Sequence, residues 1–268
     1  MGVTAHPPDY FSASAASPKR SPDAERGIGG QPEAGTEALR VLSRYKSAVR
    51  EAKAGEHLFT VGEPCDAVHL LVRGWAYLFS PLADGRQTIL HFAVPGTILG
   101  VHPEPNAPAE YSARALTDSV VHVVSYEQFN KLFQENPSTA VRLAGLLSQH
   151  RKIAFDKITS ICRYSARQRV CRLLLELAVQ GGPTSRSPEG RPLFLPLTQE
   201  HVAEAIGLST VHVNRVLSAL RKEGIVEFQH RRLRIISFAK LLAAGDAEDQ
   251  FAPSDTVGPP SPKSESCV

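Results

Sequence analysis

A chain of 268 residues, 42% hydrophobic and 21% charged, has room for two domains that each bury a core. No apolar run approaches the ~18 residues of a bilayer-spanning helix, and four scattered cysteines exclude a disulfide framework or a Cys-x-x-Cys metal or redox motif. The net charge of +3 is unevenly spread: residues 163–240 carry 13 Lys/Arg against 6 Asp/Glu, while residues 41–162 carry 12 against 11. A polyanionic partner for the basic segment follows naturally, with a merely solvated basic surface as the alternative.

Residues 1–38 are rich in Pro, Ser, Ala and Gly, without periodicity, and are expected to be a disordered extension. They have no continuous apolar core of the signal-peptide kind, so the expected location is cytoplasmic, away from membranes. Residues 39–137 then form one unit. Short β-rich runs (VHLLV, AYLF, TILHFAV, SVVHVVS) are divided by glycines at turn spacing, with Asp84-Gly85 as a hairpin signal, which predicts a compact antiparallel β-roll or barrel. A short amphipathic helix, SYEQFNKLFQEN, stops before Pro137.

Residues 138–162 place Ala140, Leu143, Ala144, Leu147, Ala154, Ile158 and Ile161 mostly on one helical face, with a break in the pattern at His150 and Arg151. Pairing with a second copy would bury that stripe, and packing against the roll is the alternative. Residues 163–240 continue as helix, polar loop, two further helices and two short strands joined by a basic turn. The chain is therefore expected to be an α+β protein: β-roll, long dimerisation helix and winged helix-turn-helix. Residues 246–268 are expected to be a disordered tail. Cys162 and Cys171 fit buried apolar thiols, whereas Cys65, in a Gly/Pro-flanked loop, is the candidate for thiol reactivity; Cys267 lies in the tail.

The stretch LTQEHVAEAIGLSTVHVNRVLSALRKEGIV carries the most specific pattern. Thr198 can cap a first helix with Glu200 in its first turn, Val202, Ala203 and Ile206 face inward, and Gly207 supplies a positive φ that turns the chain. Ser209 can cap a second helix whose inner stripe is Val213, Val216, Leu217 and Leu220. At 100° per residue, Val211, Asn214, Arg215, Ser218 and Lys222 then point outward. The N-terminal part of such a helix enters the major groove. Asn214 suits adenine, Arg215 suits guanine, and Val211 suits a thymine methyl, with Ser218 as a fourth base contact. Thr198, Ser209, Thr210, His212, Arg221, Lys222, Arg231 and Arg232 are candidates for the DNA backbone. An intradomain salt bridge is the competing role for Arg215.

The roll phrases AGEHLFTVGEPCDAVHLLVRGWAYLF, DGRQTILHFAVPGTILG and YSARALTDSVVHVV, with RYSARQRVCRLLLELA and the helix-turn-helix stretch, resemble the Crp/Fnr superfamily of bacterial transcription regulators over residues 45–240. The resemblance implies a cyclic-nucleotide-binding-like roll and a homodimer paired through the long helix. It also implies binding to a two-fold symmetric double-stranded DNA site near promoters, and contact with RNA polymerase when activating. It departs from the family at three points. Tyr111, followed by Ser112, stands where cyclic-AMP-binding members have the Arg of their phosphate clamp, and no Gly-Glu precedes it, so cyclic AMP is disfavoured. The N-terminal region lacks the cysteines of the iron–sulfur members, so a cluster is disfavoured. Val211 replaces a Glu common in the recognition helix, implying a different half-site. Haem bound by a roll histidine (His57, His69, His91, His102 or His122) or a cysteine is the remaining cofactor alternative; no effector is assigned. A metal-dependent cupin-like enzyme or sensor would want a His-x-His pair, which is absent. A protein-interaction role for the basic helix would lack steeply salt-dependent binding to duplex DNA.

Overall fold

The computed structural model describes residues 33–102, 104–181, 190 and 192–247. Most of the two segments expected to be disordered, and Cys267, lie outside the described residues. Helix α1 (Glu33–Arg44), however, begins inside the segment expected to be disordered through residue 38. It orders because Ala38, Leu39 and Leu42 lie on one face and bury against Phe129, Leu132, Leu143 and Leu146 from two later helices.

Eight antiparallel strands build the roll: β1 (Ala48–Ala52), β2 (His57–Phe59), β3 (Ala67–Arg73), β4 (Ala76–Pro81), β5 (Gln87–Ala93), β6 (Ile98–Leu99), β7 (Ser112–Ala115) and β8 (Ser119–Ser125). One sheet runs β1-β8-β3-β6 and the other β2-β7-β4-β5. Strand β3 reads as a continuous apolar run because both its faces are covered. Val68 and Leu70 meet the helices, while Leu71 joins Leu58, Ala113 and Val121 inside the roll. The Asp84-Gly85 turn joins β4 to β5, and the Leu82 N–H donates to the Arg86 carbonyl across it at 2.8 Å.

Helix α2 (Tyr126–Glu135) is capped by Ser125, whose hydroxyl accepts from the Gln128 N–H. Helix α3 (Pro137–Arg163) is one continuous helix of 27 residues, so the break at His150 and Arg151 is a break in the apolar pattern only. The stripe expected on α3 divides between two faces. Leu143 buries within the protomer, whereas Ile158 and Ile161 of the same stripe stay exposed, as do Val141 and Phe155, which the stripe did not include.

Only Tyr164 and Ser165 separate α3 from α4 (Ala166–Gly181). Beyond the loop come β9 (Pro192–Phe194), α5 (Gln199–Ile206), α6 (Thr210–Lys222), β10 (Val226–Gln229), β11 (Arg232–Ile235) and α7 (Phe238–Gly245). The expected two-stranded wing is a three-stranded sheet, β10-β11-β9, and α7 carries the domain past residue 240. Arg172 of α4 holds α7 in place, donating from Nη1 to the Gly245 and Asp246 carbonyls at 3.0 and 2.6 Å. The DNA-binding half and the roll share apolar packing: Tyr77, Phe79, Ile89 and Phe92 belong to one buried cluster with Leu174, Leu177, Val202 and Leu220. The thiols depart from expectation. Cys162 is exposed, while Cys65 is buried and burial pushes its thiol up, which removes the basis for its reactivity.

Helix α5 starts with a reciprocal cap. Thr198 Oγ1 accepts from the His201 N–H at 3.2 Å, and His201 Nδ1 accepts from the Thr198 N–H at 3.2 Å. A histidine here fills the role usually taken by Glu or Gln. Its ring must be neutral at Nδ1, and burial, with Arg231 and Arg114 nearby, lowers its pKa despite Glu200. The stability this contributes is present above the unfolded value of 6.5 and is lost as pH falls through the lower folded value. His201→Gln keeps the acceptor without the titration. Thermal midpoints measured from pH 7 to 5 should fall less steeply for this variant than for the parent; equal slopes would show that His201 stays capped when protonated.

Candidate nucleic-acid interface

The turn between α5 and α6 is set by Gly207, in the left-handed region at φ 68°, where an L side chain would be strained. The Leu208 N–H closes it by donating to the Ala203 carbonyl at 3.0 Å. Ser209 caps α6 by accepting from the His212 N–H. Val213, Leu217 and Leu220 are buried and Val216 is half-buried, each fully buried side chain contributing roughly 1.5–3 kcal/mol relative to exposure. These contacts fix the rotation of α6 about its axis.

That rotation leaves Val211 61% exposed and places Asn214, Arg215 and Ser218 outside the core. Thr210, His212, Arg221 and Lys222 are exposed on the same helix. Among the described residues no hydrogen bond or ion pair holds Arg215, so the salt bridge considered for it is not formed. The hydroxyl oxygens of Thr198 and Ser209 accept the capping bonds from the His201 and His212 N–H groups, which leaves each O–H hydrogen to donate elsewhere.

The wing tip contains a feature not visible in the sequence. Gln229 pairs with Arg232, and the two residues between them, His230 and Arg231, sit at φ 50° and 61°. This is the two-residue hairpin geometry normally supplied by Asn-Gly or Gly-Gly, here made by bulky residues at some cost in strain. The Leu195 N–H donates to the Arg231 carbonyl at 2.8 Å and steadies the turn. Arg231 and Arg232 are thereby exposed beside each other.

Arg167 was also missed. From the first turn of α4 it grips Glu223 at the end of α6 with two bonds, Nη1 to Oε1 at 2.6 Å and Nη2 to Oε2 at 2.5 Å. It also lines an open groove of about 360 Å³ with Ser209, Val211, His212 and Arg215. Only the pairing with Glu223, 56 positions away, marks it out, and sequence order conceals that.

A second cavity of about 280 Å³ lies between the roll and α3, lined by Leu78, Leu90, His91, Thr97, Tyr111 and Ile153, among others. Tyr111 turns its hydroxyl to accept from the Gly100 N–H at 3.2 Å. No Lys or Arg lines this cavity, so its residues do not fit a cyclic phosphate. Nearby, burial drives His69 down to about 4. Among the described residues no group of three or more His, Cys, Asp or Glu side chains is placed to hold a metal ion. Among them, too, no helix is long and apolar enough to cross a membrane.

Two family models match the chain: the Crp-like helix-turn-helix domain over residues 168–244 and the cyclic nucleotide-binding domain over residues 49–136. The transcriptional activator protein FnrL of Cereibacter sphaeroides is 28% identical over 222 residues, covering 81% of this chain and 88% of that protein. The transcriptional activatory protein AadR of Rhodopseudomonas palustris is 26% identical, covering 68% and 74%. In fold, the chain is similar to FixK2 from Bradyrhizobium japonicum, with a TM-score of 0.66 at 24% identity over 74% of this chain and 96% of that one. It is also similar to a CooA mutant from Carboxydothermus hydrogenoformans, with a TM-score of 0.63 at 20% identity over 78% and 90%. From the roll through the winged helix-turn-helix, the chain belongs to the Crp/Fnr superfamily of DNA-binding transcription regulators.

Proposed function

We propose that this regulator acts in the cytoplasm as a homodimer on a two-fold symmetric site, each protomer laying α6 into the major groove. The observation that carries the reading is the split of α6 into a buried inner face and an outer face of Val211, Asn214, Arg215 and Ser218 free to meet base edges. Asn214 reads adenine and Arg215 reads guanine through paired hydrogen bonds, and Val211 meets a thymine methyl. His212, Arg221, Lys222, Arg231 and Arg232 supply sequence-independent phosphate contacts, together with the hydroxyls of Thr198, Ser209 and Thr210. Activation through RNA polymerase is supported by the activator names of FnrL and AadR.

Dimerisation is supported by the exposed face of α3. Val141, Ala144, Phe155, Ile158 and Cys162 fall on one seam with alternating three- and four-residue steps, and Val141, Phe155 and Ile158 are 73%, 59% and 59% exposed. Ser148 and Arg151 occupy the middle of the same seam and account for the break in its apolar pattern. Two copies of α3 side by side would bury it.

Duplexes selected from random sequence should yield a palindromic site. On that site Arg215→Ala should weaken binding by ~1–3 kcal/mol, and on a site mismatched at its base pair by much less. Equal weakening on both would assign Arg215 to the phosphates. The seam is tested separately. Ile158→Asp should shift the protein from dimer to monomer in sedimentation and cut affinity for the full site at least about tenfold; a dimeric Ile158→Asp would place the interface elsewhere.

A further inference from the structure

Strand β5 is the edge of its sheet, and an edge carries backbone groups that need a partner or a cover. Here the cover comes from α3 and from the DNA-binding half. Lys157 of α3 donates from Nζ to the carbonyls of Ile89 at 2.5 Å and Leu90 at 3.0 Å. Glu176 of α4 lies close enough to act on Lys157 electrostatically, and its Oε1 is 4.0 Å from His91 Nδ1. At the start of the strand, Gln87 Nε2 donates to Glu204 Oε2 of α5 at 2.9 Å. Along the strand Ile89 and Phe92 pack into the cluster that holds α4 and α5, and Tyr77 of the neighbouring β4 sets its ring 5.5 Å from that of His201.

We propose that β5 is an intramolecular clasp that fixes the DNA-binding domain in one orientation against the roll, with Lys157 and Gln87 as its two polar pins. The covalent joint between α3 and α4 is only Tyr164 and Ser165, so the side contacts along β5 decide how the second domain is held. The clasped orientation leaves the reading surface open. Helix α6 packs on α4, α5 and β10, and its outer face stays exposed. The clasp thus preorganises the reading head. A dimer must place two such heads at a set spacing, and every loosely held head lowers the fraction of molecules ready to engage both half-sites. Leu90 and His91 also line the 280 Å³ cavity, so whatever occupies that cavity touches the strand that holds the head. Burial, only partly offset by Glu176, brings Lys157 down to about 8, in keeping with a pin that sits where solvent is scarce.

The inference rests on the dimeric DNA-binding reading, and the experiment separates the two. Two full-length variants are used: Lys157→Met, which keeps the side-chain stem and removes the donors, and Gln87→Glu, which sets a carboxylate against Glu204 at the partly exposed end without disturbing the core. Each is titrated on the selected palindrome and on the same duplex with one half scrambled. Hydrogen exchange is followed along β5 and α5. The clasp predicts that full-site affinity falls about tenfold or more, that half-site affinity stays within about twofold, and that β5 and α5 exchange faster while β3 and β8 do not. Parental full-site affinity in both variants, or equal losses on full and half sites, would overturn it. If the parent binds neither duplex, the DNA-binding reading fails, and unchanged exchange along β5 and α5 in both variants would still overturn the clasp by itself.

Discussion

Helix α3 has more apolar surface than one protomer covers. Its N-terminal part finds cover at home, where Leu143 and Leu146 pack against α1 and α2. Its C-terminal part presents Phe155 and Ile158 to solvent while Lys157, between them in sequence, turns back onto β5. At about 100° per residue one helix can serve both demands, a seam on one side and a polar tether on another. The roll and the DNA-binding domain are thereby arranged around a single rod of 27 residues.

Because α3 passes into α4 through two residues, rotation at that joint would swing α6 through a large arc. Several cheap contacts oppose this together. None is strong alone: a partly exposed bond such as Gln87–Glu204 contributes about 1 kcal/mol. Burial of Ile89, Phe92 and Tyr77 against α4 and α5 supplies the larger, non-directional share, and the polar contacts choose which packing is kept.

The helix-turn-helix was legible because its signals are local. A 3.6-residue stripe, a capping Ser209 and a left-handed Gly207 need no knowledge of the rest of the chain. The roll was legible from its glycine spacing for the same reason. What escaped depends on tertiary partners. Helix α1 sits in a Gly- and Glu-rich neighbourhood, and it is held because α2, α3 and the roll receive Ala38 and Leu42. Strand β9 contains Pro192 and exists because β11 needs a neighbour. The His230-Arg231 turn has none of the residues that announce such turns, and His201 replaces the Glu or Gln that marks a capping box. Cys65 and Cys162 exchanged their expected environments because a loop folded inward and a helix face stayed bare. The stripe on α3 was read as one face because apolar spacing records burial without saying by what.

The two cavities show how far a family resemblance reaches into chemistry. The roll matches a cyclic nucleotide-binding domain over residues 49–136, yet its cavity offers Tyr111, Thr97 and His91 among apolar side chains and no guanidinium or ammonium. A phosphate diester taken from water into that lining would lose its hydration without gaining a countercharge, a cost that two or three neutral hydrogen bonds do not offset. A small uncharged or largely apolar molecule would meet no such cost. The groove on α6 is the reverse: Arg167, Arg215, His212 and the Ser209 hydroxyl surround an open surface suited to a polyanion. Arginines thus line the groove on α6 while no Lys or Arg lines the roll cavity, so of the two it is the α6 groove that suits the phosphates of DNA.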